Sequence, residues 1–133
     1  MGLQTPWKSF GSIDSDREYL ALLSYLPLKR HRTIPKFFRY TFAIQRQLLD
    51  AKGLMGYALE AGLWSKKFWT LSVWEDAESL MEFVAHLPHS DVMNRLAPYM
   101  SQTRFTQWKM KGSEIPPNWG EAKERMAHEE ARQ

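Results

Sequence analysis

The spacing of apolar positions changes several times along this chain, and each change marks a boundary between elements. Residues 1–17 hold no sustained period and are rich in turn formers, which predicts an arm. Residues 19–28, YLALLSYLPL, form a short apolar run with a proline near its end and predict a first strand. After the polar turn KRHRT, Ile34, Phe37, Thr41, Ile44 and Leu48 recur at alternating spacings of three and four, the stripe of an amphipathic helix. Thr33 suits the N-cap of that helix, Pro35 its first turn, and Gly53 stands just past its end.

In residues 54–64 the period drops to two: Met55, Tyr57, Leu59, Ala61 and Leu63 alternate with small or polar residues, a second strand. SKK breaks it as a hairpin turn, and residues 68–74, FWTLSVW, predict a third strand. Asp76 is placed to cap a helix over 77–87 with Leu80, Phe83, Val84 and Leu87 as its stripe, and Pro88 ends it. Ser90 can open a second short helix carrying Val92, Met93 and Leu96, closing near Pro98. Residues 103–111, TRFTQWKMK, predict a fourth strand. GSEIPPNW then reads as a linker, and a charged helix of low hydrophobicity, expected on the surface, finishes the chain.

The order is β-α-β-β-α-β with a helical tail, the ferredoxin-like order, in which a four-stranded antiparallel sheet carries its helices on one face. The class is therefore α+β, organised as an N-terminal arm (1–17), a ferredoxin-like domain (18–112), and a linker with a C-terminal helix (113–133). Alternation assigns the faces. Trp69, Leu71 and Val73, taken with Met55, Tyr57 and Leu59, make a uniformly apolar face that suits the helices. Phe68, Thr70, Ser72 and Trp74, taken with Gly56, Ala58, Glu60, Gly62 and Trp64, make a mixed face too apolar for water. That second face is expected to be covered by a second subunit or by ligand. A slip of one residue in register would invert the assignment.

Composition narrows the chemistry. The chain has 133 residues, 44% hydrophobic and 14% aromatic, enough for one globular domain with a real core. There are no cysteines, which removes disulfides, thiolate nucleophiles and cysteine-ligated metals. The N-terminus lacks an apolar signal core, Pro6 breaks the myristoylation pattern, and no stretch is long and apolar enough to be a membrane span, so a cytoplasmic protein is expected. Residues 1–66 carry 10 basic and 5 acidic side chains and the remainder 8 and 10, with the basic excess densest at Lys29, Arg30, His31 and Arg32. Such a run can attract phosphate, but it also suits a solvated turn. No aromatic interleaving gives it an RNA-binding signature, and nucleic acid is not expected as a partner.

Two stretches, LSVWEDAESLMEFVAHLPHSDVMNRL and RFTQWKMKGSEIPPNWGEAKERM, resemble an uncharacterised bacterial family of the dimeric α+β barrel superfamily, the group containing the antibiotic-biosynthesis monooxygenase-like proteins. The likeness rests on Leu71-Ser72-Val73-Trp74-Glu75, Phe83-Val84, His89, Val92-Met93, Trp108, and Pro117 followed by Glu121-Ala122. It covers about residues 66–126. A fainter similarity runs to spheroidene-type monooxygenases through WTLSVWED and RFT. The resemblance implies a homodimer whose sheets pack into a barrel, and a pocket for aromatic, polyketide-like or haem-like ligands. Some members of that superfamily oxygenate without a cofactor, some bind haem, and some only bind or sense.

Candidate site residues follow from position. His89, between two predicted helices, suits a general base or a haem ligand, or else a cation at the preceding helix's C-terminus. His86 lies opposite much of its helix's apolar stripe. His86 and His89 with Asp91 do not make a metal site, because Pro88 disrupts the helical spacing; no metal is expected. Trp64 and Trp74 could stack on a planar ligand, Trp108 could face ligand or core, and the Tyr57 hydroxyl could orient a substrate oxygen. Glu60, the one charge in its apolar segment, would have a raised pKa if buried, which suits a base, or would pair across the sheet. The expectation is a monooxygenase-like enzyme acting on an apolar, aromatic or polyene small molecule, with no cofactor required and His89 and Glu60 as catalytic candidates. The alternative is a non-catalytic dimer that binds a small ligand or haem.

Overall fold

The computed structural model describes residues 3–85 and 89–131, except the side chains of 89–92, 130 and 131. The described strands are β1 (Leu3–Gln4), β2 (Lys8–Ser9), β3 (Glu18–Pro27), β4 (Leu54–Gly62), β5 (Lys67–Trp74) and β6 (Arg104–Lys111). The helices are α1 (Ile34–Leu49), α2 (Ala77–Ala85), α3 (His89–Leu96) and α4 (Trp119–Ala131). All strands join one antiparallel sheet whose four long members stand in the order β4-β5-β3-β6. The first and third predicted strands thus lie in the centre and the second and fourth outside them, which is the ferredoxin-like arrangement. None of the described helices is long and apolar enough to cross a membrane.

Local chemistry sets the boundaries. The Ser79 backbone N–H donates to Asp76 Oδ1 at 2.8 Å, and that hydrogen bond holds the Asp76 carboxyl below its ordinary pKa, as an N-cap requires. Thr33 makes no such bond: the chain enters α1 directly from a 3-10 turn over His31–Thr33, so its backbone is already helical and its side chain is buried. Gly53 turns the chain into β4 at φ +81°, and a Cβ there would lie 2.2 Å from Ser79 Oγ. The arm is more ordered than its sequence suggests. Its β1 and β2 pair with the outer edge of β4, Leu3 opposite Ala61 and Lys8 opposite Tyr57, which covers an edge otherwise open to other chains.

The two sheet faces are assigned differently from the sequence expectation. Between Leu54 and Gly56 the pairing of β4 with β5 slips by one residue at a bulge. Beyond it Tyr57 stands beside Ser72, Leu59 beside Thr70 and Ala61 beside Phe68. Tyr57 and Leu59 therefore share a face with Phe68, Thr70, Ser72 and Trp74, and α1, α2 and α3 cover that face. Trp74, Leu48, Leu54, Tyr57, Leu80 and Phe83 form its core at one end, and Leu28, Phe37, Phe68, Leu96 and Met100 at the other. Full burial of each large side chain there contributes about 2–3 kcal/mol.

The opposite face, whose Met55, Leu71 and Val73 the alternation assigns to the helices, is covered instead by the arm and α4, while the mixed face expected to meet a second subunit or ligand lies under α1–α3. Tyr19, Ala21, Met55, Val73 and Met110 pack against Trp7 and Ile13 of the arm, while Leu23 and Leu71 pack against Ala122 and Met126 of α4. The charged composition of α4 conceals this stripe: Trp119, Ala122 and Met126 recur at helical spacing, and the last two are buried.

Candidate functional site

Between the sheet and helices α1–α3 lies a cavity of about 150 Å³. Its floor is Leu22, Ser24 and Leu26 of β3, Tyr57 and Leu59 of β4, and Phe68, Thr70, Ser72 and Trp74 of β5. Its roof is Phe37, Thr41, Ile44 and Leu48 of α1, with Leu80 and Phe83 of α2 and Met93 and Leu96 of α3. The cavity exists because the central strands offer short side chains where the helix layer stands a full side-chain length away. Ser24 and Thr70 are direct neighbours across β3 and β5, and Ser72 lies beside Leu22. Partly exposed Phe38, Val84 and Phe105 mark where the wall reaches solvent.

The polar groups along this wall are few, and several already hold a partner. Thr41 Oγ1 donates to the Phe37 carbonyl at 2.8 Å, and Trp74 Nε1 donates to Ser72 Oγ at 2.9 Å. Trp74 also tilts against Phe83, ring centroids 5.1 Å apart. Tyr57 stacks on Phe10 of the arm at 5.9 Å, and burial raises its pKa with no hydrogen bond contributing. Its phenol is therefore protonated at neutral pH and free to donate. A single aromatic ring fits a dry space of this size lined by such side chains.

The candidate residues divide accordingly. Tyr57 and Trp74 are brought together in the cavity, and Trp74 does so from within the core, 1% exposed. Trp64 is not: it sits 92% exposed in the turn between β4 and β5. Trp108 lies half-buried on the opposite face, with the Arg125 guanidinium 5.1 Å from its ring centroid. Glu60 runs along the cavity wall by its backbone, but alternation sends its side chain to the opposite face beside Trp69. There Oε1 accepts from Gln4 Nε2 and Oε2 from Lys123 Nζ, each at 2.6 Å. Burial pushes the carboxyl up, yet these two hydrogen bonds and the Lys123 charge outweigh it and hold the pKa below the ordinary value. The expected raised pKa of a base is thus reversed by an ion pair. His86 lies outside the described residues. His89 is the first residue of α3, and its side chain lies outside them too. No group of three or more metal-binding side chains occurs among the described residues.

Sequence reasoning passed over Ser24, and it named Thr70, Ser72 and the α1 stripe only as parts of their elements, not as site residues. Thr41 within that stripe was a signal, since a hydroxyl on an apolar face marks space or a partner.

Fold and cavity together define an α+β protein of ferredoxin-like topology with a small-molecule-sized apolar pocket under its helices. Residues 44–132 match the model of a domain of unknown function, DUF3291, and the chain belongs to that family. No curated protein matches it. Among solved structures, a Fusobacterium nucleatum protein provisionally assigned as a monooxygenase superposes with a TM-score of 0.65 at 13% identity, over 76% of this chain and 46% of that one. This chain thus spans less than half of that protein. A dimeric ferredoxin-like protein of unknown function from Thermobifida fusca gives 0.62 at 12% identity, over 77% and 99%. SnoaB from Streptomyces nogalater, a cofactor-independent oxygenase, gives 0.56 at 9% identity, over 75% and 98%. At these identities the likeness is one of fold.

Proposed function

We propose that the protein holds a flat, apolar, ring-sized small molecule in the cavity beneath α1–α3 and acts on it as a monooxygenase-like enzyme. The observation that carries this reading is the cavity: apolar walls, space for one ring, and a protonated Tyr57 hydroxyl to receive a ligand oxygen. The oxygenase named among the fold neighbours supports the reaction class. Position 89 stands four residues before Met93 and seven before Leu96, the spacing of one helix face, and both of those line the cavity. On that ground His89 is the proposed general base. It takes one proton from an acidic CH₂ group of the ligand, and the resulting carbanion reduces O₂ to a peroxide on the same carbon, which keeps its second hydrogen. Once protonated, that hydroperoxide loses water and leaves a carbonyl, so one oxygen atom enters the ligand and the other leaves as water.

Haem does not fit this space, since a macrocycle of four pyrroles exceeds a cavity sized for a single ring. A homodimer belongs to the same proposal, supported by the dimeric Thermobifida fusca neighbour, and so does a cytoplasmic location.

One observation favours the second reading, a non-catalytic ligand binder. Among the described side chains of the cavity none is prepared to act as a base, because Tyr57 is shifted upward and the Glu60 carboxylate is committed to Lys123 on the far face. The experiment that decides uses phenol-sized ligands titrated by calorimetry against wild type and Thr70→Phe, which fills the floor. Binding lost in Thr70→Phe places the ligand in the cavity, whereas equal binding removes the cavity from the function. For ligands that bind, oxygen uptake that disappears in His89→Ala with binding retained supports the enzyme. Absence of uptake with every bound ligand supports the binder.

A further inference from the structure

The end of the sheet where β3 stops and β4 turns into β5 carries cations and exposed apolar side chains on segments that contain no Asp or Glu. Leu28 N–H donates to the Lys66 carbonyl at 2.8 Å, Lys29 N–H donates to the Tyr99 carbonyl at 2.9 Å, and the His31 ring hydrogen-bonds the Trp64 carbonyl at 2.9 Å. Three segments distant in sequence are thereby held at one end of the molecule. Together residues 27–40, 62–68 and 97–101 contain no Asp or Glu. The cations of this end include Lys29, Arg30, Arg32, Lys36, Lys66 and Lys67, and no described carboxylate pairs with them. At its tip Leu63 is 44% exposed and Trp64 92% exposed.

A tryptophan almost wholly in water has no structural reason to be there. Its indole contributes nothing to the core, and its backbone carbonyl alone makes the contact to His31. An amphipathic aromatic at a tip, ringed by Lys and Arg, has the chemistry of a membrane–water interface: the ring settles at the headgroup level while the cations meet anionic headgroups. Nucleic acid would reward the charge but would need several stacking aromatics along a groove. A hairpin tip of Leu63 and Trp64 offers a point of insertion instead.

We infer that this end of the protein, with Leu63 and Trp64 at its apex and the surrounding Lys and Arg as a collar, docks on an anionic phospholipid surface. The surface stands independently of what the cavity holds. It has one consequence for it: Leu26, Phe37 and Phe68 of the cavity wall lie next in sequence to Pro27, Lys36 and Lys67 of this end, so an apolar ligand partitioned in the bilayer has a short path to the pocket.

The test is co-sedimentation of the intact chain with vesicles of phosphatidylcholine alone and of phosphatidylcholine with phosphatidylglycerol. Binding is expected to the anionic vesicles only and to weaken in high salt. Each cation near such a surface contributes about a fivefold gain in partitioning, so Arg30→Glu with Arg32→Glu lowers binding by at least ~25-fold. Trp64→Ala, at a position without core contacts, lowers it by roughly tenfold, with the thermal midpoint unchanged in every variant. Equal binding to both vesicle types, no binding to either, or undiminished binding by Trp64→Ala overturns the inference. So does a single-stranded oligonucleotide that binds where vesicles do not, and so does conversion of a dimer to a monomer by Trp64→Ala, which assigns the tip to a contact between copies.

Discussion

At Tyr57 one side chain does two jobs. Its ring closes the core between Phe10 of the arm and the helix layer, and its hydroxyl offers a protonated donor on the cavity wall. Tyr57→Phe keeps the first and removes the second. Calorimetry should show a phenol-type ligand weakened by about fivefold, the value of one hydrogen bond, with a hydrocarbon of the same shape unaffected. Glu60 illustrates the opposite case, a residue whose burial suggests chemistry and whose partners remove it. Its carboxylate titrates below the ordinary 4.5 in the folded chain. The stability it contributes is therefore present above that pH and disappears as pH falls through the lower folded value. Glu60→Gln should cost about 1 kcal/mol at neutral pH, and its deficit against wild type should narrow on acidification below 4.5, measured by thermal unfolding. A deficit constant with pH would mean the ion pair with Lys123 is idle.

At the scale of elements, the sequence was most legible where one period ran long and least where packing came from scattered residues. The α1 stripe and the alternations of β4 and β5 were strong enough to place all three elements, the two strands within two residues of their bounds. Which face of β4 meets which face of β5 was not legible, because a single bulged residue between Leu54 and Gly56 shifts the register and carries no signature of its own. Nor were β1 and β2, two residues each and too short for any period. The helix α4 reads as a solvated segment, yet Met126 is 4% exposed against Leu23 and Leu71. Met126→Ala should therefore cost about 2–4 kcal/mol by denaturant titration, where a surface position would cost almost nothing. A similar expectation attaches to the arm. A Cβ at Gly56 would stand 2.5 Å from the Trp7 ring, so Gly56→Ala should release the arm and destabilise the chain by roughly 1–3 kcal/mol, with Trp7 emission moving toward that of exposed indole.

For the whole molecule, β3 is the piece on which closure depends. It pairs with β5 along one side and β6 along the other, so residues 44–132, the stretch matched by the family, lack the strand that joins them. A chain cut to 44–132 should show neither a cooperative thermal transition nor native circular dichroism as a monomer. Sedimentation of the full chain tests the proposed homodimer: the 15.7 kDa species should give way to twice that mass at micromolar concentration. Because α4 and the arm cover the sheet face turned away from α1–α3, a dimer has to use another surface or exchange those segments between copies.

By itself the sequence determined the order of the long elements, their approximate bounds and hence the ferredoxin-like class, since periodicity, caps and turn residues are local properties that need no partner to act. It also marked Tyr57 and Trp74, whose size and polarity stand out at strand positions. Tertiary structure alone decided that Glu60 is neutralised by a lysine more than sixty residues away and that Trp64 is left in water. It alone decided that short Ser24, Thr70 and Ser72 leave room beneath the helices. The physical reason is common to all three. Charge pairing, exposure and empty volume are each set by what stands opposite a side chain, and in a sheet that neighbour comes from a distant part of the chain.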